Sequence, residues 1–353
     1  MILNVLYSML FSDIKLTPII ESLRLQDISD EEYFSKKYSN YISNSRLGLI
    51  NPDQDGNPEK FFITGFTNMS DSLIFGSRIH EQVLQPESFI LSTIVDRPIG
   101  KTGYIADYLY DNKLYNPTDE ELYKAAQKFE YFGNRLTMDK ALTLRDKCLF
   151  YINNRLEYEK EYKSNKPVLT YIDSKSRERI YGCLNSINKN KLIQELLHPT
   201  GLINKPIVGN EKTILLDLKV EYPNHEPFIL KLKSKLDNFS IDLDSNTITV
   251  NDLKTTGKPT QYFSESLNKY RYYREMGMYS YLLSLCANKF YNLENPKIKS
   301  NFLVVYTQPS YYSEVVKMNK GMFMKGFNEF IKLVKLVAHY VASNPRYSFF
   351  ASV

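Results

Sequence analysis

ITVNDLKTTG, residues 248–257, decides how this chain is read. Ile248, Val250 and Leu253 form an apolar run of the kind that marks a buried strand, and Asp252 and Lys254 are set into it. Side chains two apart on a strand share a face, so the carboxylate and the ammonium project together while Leu253 points the other way. An acid two residues before a lysine also occurs at Asp13/Lys15, Glu161/Lys163, Asp173/Lys175 and Asp217/Lys219. Alone, the pair reads as an ion pair at a strand end, and only its surroundings can give it a chemical role.

Those surroundings are strands. After Pro206, ILLDLKVEY, FILKLKSKLDNF and TITVNDLKT alternate apolar and polar residues, with Pro223-Asn224-His225 and Asp244-Ser245-Asn246 as turns. Helical stretches follow at 267–288 and 320–343, around the strand NFLVVYT. Helix, meander, helix, strand and helix make an α/β or α+β core with a mixed sheet flanked by helices. Lys235-Leu236-Asp237 closes the strand before ITVNDLK, so antiparallel pairing can bring Asp237 and Asp252 together. Two close carboxylates raise each other's pKa unless a cation lies between them. A hard divalent cation suits oxygen ligands of this kind, and Lys254 on the same face can hold a water or offset charge on a phosphate. Asp217/Lys219 has no acid on a preceding strand of the meander and reads as a decoy. The alternate lysines Lys231, Lys233 and Lys235 read as a solvated face.

The chain has 353 residues, 43% hydrophobic and 14% aromatic, with a net charge of +5, which suits a folded globular protein and allows a polyanionic partner. Cys148, Cys183 and Cys286 are far apart without a CxxC, which argues against a disulfide framework, a zinc knuckle or an iron–sulfur cluster and favours a reduced, cytoplasmic setting. No apolar run reaches the roughly 18 residues needed to span a bilayer, so no membrane partner is expected. The opening MILNVLYSMLF reads as a core-packing helix, residues 1–40 as largely helical, and 50–60 as a loop. A helix is expected from Ser70-Asp71-Ser72 through FGSRIHEQVL, and a mostly helical insertion at 104–200.

The order D…(D/E)xK on adjacent strands resembles the PD-(D/E)xK nuclease superfamily. Gly76 and His80 resemble the G-x-x-x-H helix of its RecB-like and lambda-exonuclease-like branches, and VLQPESF resembles the LxPExF block of RecE-type phage recombination exonucleases. Ser43-Asn44-Ser45-Arg46-Leu47 resembles their S-x-S-x-L entry, and KYRYYREMGMYSYLL their Q-x-x-x-Y helix, with Tyr272 as its upstream aromatic and Tyr279 matching the tyrosine. Glu275 stands where that helix has glutamine, which leaves three options: neutralisation by Arg271 or Arg274, service to a metal, or a motif that has drifted.

The resemblance implies a restriction-endonuclease-like core at 206–353 within a single nuclease domain, 1–353, with the G-x-x-x-H helix in an N-terminal part at 40–98. It implies a phosphodiester hydrolase in which His80, Asp237, Asp252 and the backbone carbonyl of Leu253 hold Mg²⁺ or Mn²⁺. Lys254 then activates the water, and Glu221 is the additional acid before the central aspartate. Arg46 and Ser45 are implied at a terminal phosphate, with Glu275, Tyr279 and Thr255 as further nucleic-acid contacts. The implied activity is a 5′→3′ exonuclease on double-stranded DNA with free ends, in phage-type recombination, replication or DNA processing. A single-strand annealing protein and a ring-shaped homo-oligomer are the implied partners. Two other readings stay open: a structure-specific endonuclease on the same fold, and a catalytically degraded DNA-binding or assembly module.

Overall fold

The computed structural model describes residues 12–63, 71–92, 95–161, 168–200 and 203–351. The expected helix MILNVLYSMLF lies outside them. The chain divides into two compact units, one of residues 1–68, 186–306 and 312–353, the other of 69–185 and 307–311.

The first unit is built on a seven-stranded mixed sheet in the order β1-β5-β6-β7-β8-β9, with the short β2 also paired to β6. Its strands are β1 (Lys15–Gln26), β2 (Tyr41–Ile42), β5 (Ile207–Glu221), β6 (Phe228–Asp242), β7 (Thr247–Thr256), β8 (Lys297–Tyr306) and β9 (Ser313–Lys317). The meander β5–β6–β7 is antiparallel, whereas β7 and β8 run parallel. This is the mixed α/β arrangement with flanking helices that the alternation after Pro206 led us to expect. Residues 15–26 are a correction: they pair with β5 and are not helical. Leu16, Ile19, Ile20 and Leu23 mimic a helical period because a register shift between Ile19 and Arg24 breaks the strand's period of two.

Short helices α1 (Asp30–Tyr33), α2 (Asn44–Ile50) and α3 (Pro58–Ile63) follow β1, the last falling at the end of the expected loop. The second unit carries α4 (Asp71–Leu84), α5 (Lys101–Asp111), α6 (Asp119–Lys128), α7 (Met138–Leu142) and α8 (Arg145–Glu161), with a small parallel pair of β3 (Phe89–Ser92) and β4 (Val168–Tyr171). It has its own core, including Ile105, Leu109, Leu122, Cys148, Tyr151 and Ile152. The division between the units falls inside α9 (Ser174–Lys189), and α10 (Lys191–Leu197) returns to the first.

After the meander come α11 (Phe263–Lys269), α12 (Tyr272–Tyr291) and, beyond β9, α13 (Lys320–Ser343). Leu282, Leu283 and Cys286 of α12 join Leu333, Val334 and Val337 of α13 in the core with Ile248, Val250 and Phe302 of the sheet. The two helices meet backbone to backbone. A Cβ on Gly326 would fall 1.9 Å from the Tyr273 carbonyl oxygen, and one on Gly277 would fall 2.5 Å from the Phe327 nitrogen. Buried Arg274 anchors α12 further, donating from Nε to Asn44 Oδ1 (2.8 Å) and from Nη1 to Gln54 Oε1 (2.9 Å) and Glu329 Oε1 (3.3 Å).

A row of amides crosses four strands. Asn238 donates to Asn210 (2.7 Å), Asn251 to Asn238 (2.7 Å) and Asn301 to Asn251 (2.9 Å), while Asn251 also donates to the Leu196 carbonyl of α10 (3.2 Å). Asn238 and Asn251 each sit one residue from an aspartate, so on these strands the amides and the acids project to opposite sides. No described helix is long and apolar enough to cross a membrane.

Candidate functional site

The turn between β6 and β7 fixes the register of the acids. Asp242 Oδ1 accepts from the backbone N–H groups of Asp244 (3.0 Å) and Ser245 (3.2 Å), and Asn246 takes the left-handed conformation the turn requires. Pairing then runs from Asp242↔Thr247 to Asn238↔Asn251. One step further along the same register, Asp237 faces Asp252, and Asp237 Oδ2 accepts the Leu253 N–H at 2.7 Å. Asp237 lies within β6 and not at its end, because the strand continues to Asp242.

Lys254 closes the cluster. Its Nζ lies 3.0 Å from Asp252 Oδ1, 2.9 Å from Asp252 Oδ2 and 3.0 Å from Glu275 Oε2, with the Tyr272 ring centroid at 4.7 Å. Glu275 Oε1 in turn accepts from the Tyr279 hydroxyl at 3.0 Å. The neutralising cation of Glu275 is therefore Lys254. Neither arginine suggested by the sequence bonds it: Arg274 faces Asn44, Gln54 and Glu329, and Arg271 faces Tyr273, Asp53 and Glu329. Burial opposes the Lys254 charge, yet the carboxylates of Asp252, Glu275 and Asp237 outweigh it and hold the ammonium well above the ordinary lysine range. Asp252 is 1% exposed, and burial first, then the charges of Glu275 and Asp237, push its carboxyl upward against the pull of Lys254. Its Oδ2 accepts no well-directed hydrogen bond among the described residues, although the ammonium is close by. Burial also raises the Tyr279 hydroxyl, with the Glu275 charge adding to it.

An acid the sequence reading missed extends this cluster. A carboxylate oxygen of Glu211 on β5 lies within 4.8 Å of one of Asp237, and burial together with the Asp237 charge raises Glu211 to about 7. Lys235 opposes that rise from 3.3 Å and also bonds Asp30. Glu211 has a φ of 51°, an uncommon left-handed backbone for a non-glycine residue. The sequence reading had assigned the preceding acid to Glu221 instead. Glu221 sits at the other end of β5, about 30 Å of strand away, half-exposed and paired with Lys15 (3.2 Å) and Lys219 (3.1 Å). The register that joins Asn210 to Asn238 is the signal that points to Glu211.

Lys233 and Lys235 are not a solvated face. Lys233 is buried, donates to the Tyr33 carbonyl at 2.7 Å and lies 4.2 Å from that ring's centroid. Burial lowers its amine to about 8, with the Arg46 charge adding to the effect. Arg46 on α2 packs against Phe61 (5.0 Å) and Phe350 (4.6 Å), and its guanidinium donates to the carbonyls of Phe61 and Ser39. Burial lowers its pKa to about 10. Ser45 is exposed beside Ser43, with 3.0 Å between their hydroxyls. Thr255 follows Lys254 on β7 and so projects to the opposite side. Gly76 and His80 both lie on α4 of the second unit, one turn apart.

No family model matches this chain, and no curated protein matches it. Among solved structures, a crystal structure named "Putative exonuclease" from Eubacterium rectale is similar over 88% of this chain and 86% of its own, at 10% identity and a TM-score of 0.41. That likeness is too distant to fix an activity.

Proposed function

We propose that this protein is a metal-dependent deoxyribonuclease of the PD-(D/E)xK type. The observation that carries the reading is the buried Asp252, set between Asp237 and Lys254 with one carboxylate oxygen lacking a directed donor. A purely structural ion pair has no need of two further acids, Asp237 and Glu275, around its ammonium, nor of Glu211 beside Asp237. The donor set fits a hard divalent cation, since every candidate ligand in the first unit is an oxygen. Asp237, Asp252 and the Leu253 carbonyl would hold Mg²⁺ or Mn²⁺, with Glu211 in place of Glu221 as the neighbouring acid. His80 is a proposed further ligand on the strength of its Gly76-x-x-x-His80 motif. When bound, the cation lowers the pKa of a coordinated water and offsets charge on the phosphate.

The chain's own residues supply positioning and charge. Lys254 stays protonated under the pull of its carboxylates. Two of its three N–H groups are committed to Asp252 and Glu275, and the remaining one is the donor for an attacking water or a phosphate oxygen. Glu275 and Tyr279 hold that ammonium in place and have no need to touch the nucleic acid themselves. The 5′→3′ polarity, the preference for duplex ends, the ring-shaped oligomer and the annealing partner belong to the proposal through the sequence resemblance.

The test is cleavage of linear duplex DNA labelled at the 5′ or 3′ end, with closed circles alongside and with Mg²⁺ or Mn²⁺. Early release of the 5′ label, intact circles and an inert Lys254→Ala variant that still binds DNA are expected. Cut circles would replace the exonuclease with an endonuclease. DNA binding without any cleavage would leave a degraded binding module.

A further inference from the structure

An aromatic stack leads from the catalytic lysine to the surface. Tyr272, whose ring centroid is 4.7 Å from Lys254 Nζ, stacks with Phe263 (5.9 Å, 19° between planes) and with Tyr270 (5.5 Å, 30°). Phe263 is buried, whereas Tyr270 is 49% exposed. The stack therefore starts in the core, passes the ammonium and ends on a ring open to solvent. Tyr270 lies no farther from Lys254 Nζ than the two separations laid end to end.

The backbone is shaped to make this stack. α11 ends before Tyr270 and α12 begins at Tyr272, with Arg271 between them in the left-handed region at φ 56°. In a continuous helix, side chains at i and i+2 diverge and do not face each other. The left-handed turn brings them together, and Arg271 is held there by Tyr273, Asp53 and Glu329. Over the outer ring, Lys269 Nζ is 5.3 Å from the Tyr270 centroid. It is exposed and pairs with no carboxylate among the described residues, unlike Lys258, which pairs with Glu265 at 2.9 Å.

An exposed ring that extends a stack, with an exposed lysine over it that can give way to a base and turn to its phosphate, suits a single nucleotide: the base on the π-face and the phosphate on the cation. We infer that Tyr270 and Lys269 form a nucleotide subsite in which a base next to the phosphate at Lys254 stacks on Tyr270. This rests on the nuclease reading and adds the base, as well as the phosphate, to what the site holds. Stacking of this kind recognises any base, so the subsite selects nucleic acid over other phosphodiesters without selecting a sequence.

The test is equilibrium binding by fluorescence anisotropy, with Ca²⁺ in place of the catalytic ion, and cleavage measured in parallel with Mg²⁺. The wild type, Tyr270→Phe and Tyr270→Ala are compared on oligonucleotides that are intact or carry one abasic position among the first few nucleotides. Tyr270→Ala should weaken binding of intact DNA by roughly 5- to 150-fold, and Tyr270→Phe should not. At one abasic position the wild type should fall to the level of the alanine variant, with no further loss in that variant. A merely structural role for Tyr270 would weaken intact and abasic DNA alike and would overturn the subsite. Normal cleavage and binding by Tyr270→Ala would overturn it while sparing the nuclease reading. Base-dependent binding through Tyr270 without cleavage by the wild type would do the reverse.

Discussion

Replacing Gly326 with alanine tests how α12 is held, and with it the position of Glu275. The added Cβ would fall 1.9 Å from the Tyr273 carbonyl oxygen and 2.5 Å from the carbon that bears it. Relaxed heavy-atom contacts lie near ~3.5 Å, so the helices must part by about 1.5 Å at that point. Overpacking of a core typically costs ~1–3 kcal/mol. The upper end applies here because the obstacle is main chain and no rotamer can move it aside. For a unit of this size that is a loss of about 6–12 °C in melting temperature. Glu275 follows Arg274 on the same turn, so its carboxylate moves relative to Lys254, and a misplacement of ~1 Å in an active site can cost on the order of 100-fold in rate. Gly321→Ala on the same helix is the control. Its Cβ would meet only the Asn319 side chain, at 3.3 Å, and should be neutral or stabilise by up to ~1 kcal/mol. Scanning calorimetry and the end-labelled cleavage assay read both effects. If Gly326→Ala melted and cleaved as Gly321→Ala does, the close helix crossing would not be what positions Glu275.

Three further outcomes are expected. Glu275→Gln should keep or raise cleavage, because the amide oxygen still accepts from Lys254 in the same place and the lysine stays positioned with one negative charge fewer at the site; a severe loss would mean that the carboxylate itself is needed. Lys233→Met should be more stable than the wild type at pH 7, by ~1–3 kcal/mol less the ~1 kcal/mol of the lost bond to Tyr33. The depressed amine pKa of about 8 sets the sign: the cost of burying the charge is full below pH 8 and fades toward the unfolded value near ~10.4, where the unfolded chain still holds the proton that the native state has released. The gap in denaturant stability should close by about pH 10, and a gap unchanged with pH would refute the assignment. Asn251→Leu should cost about 1–3 kcal/mol for each of the amide partners it orphans, and a melt within 1–2 °C of wild type, on the scale of ~2–4 °C per kcal/mol, would show that the amide row is dispensable.

The sheet was legible where its pattern was uninterrupted. β5, β6 and β7 alternate cleanly, and their turns carry the Asn, Asp and Pro that turns need, so Asp237, Asp252 and Lys254 could be placed on strands from sequence alone. β1 was not legible, because its irregularity gives the apolar residues a helical spacing. Glu211 was hidden for a different reason. Its neighbour in space is 26 positions away in sequence, at Asp237, and only the register of β5 on β6 reveals the pairing. The resemblance points to Glu221 for that acid, since the strand read from the sequence, ILLDLKVEY, begins at Ile214 and leaves Glu211 outside it, whereas β5 starts at Ile207. The partner of Glu275 was not legible either: the arginines at 271 and 274 are its nearest basic neighbours along the chain, whereas the ammonium that bonds it lies 21 residues upstream at Lys254.

The row of asparagines separates two kinds of inheritance. Amides tie the strands together on one side of β6 and β7, while the carboxylates of the proposed nuclease site lie on the other, one residue along. A lineage could therefore lose Asp237 or Asp252 by single substitutions and still pass on an intact sheet. Resemblance of outline among such proteins is thus a poor witness to what they do, and a descendant that has become a passive DNA clamp would be told from a working enzyme only by its acids and its lysine.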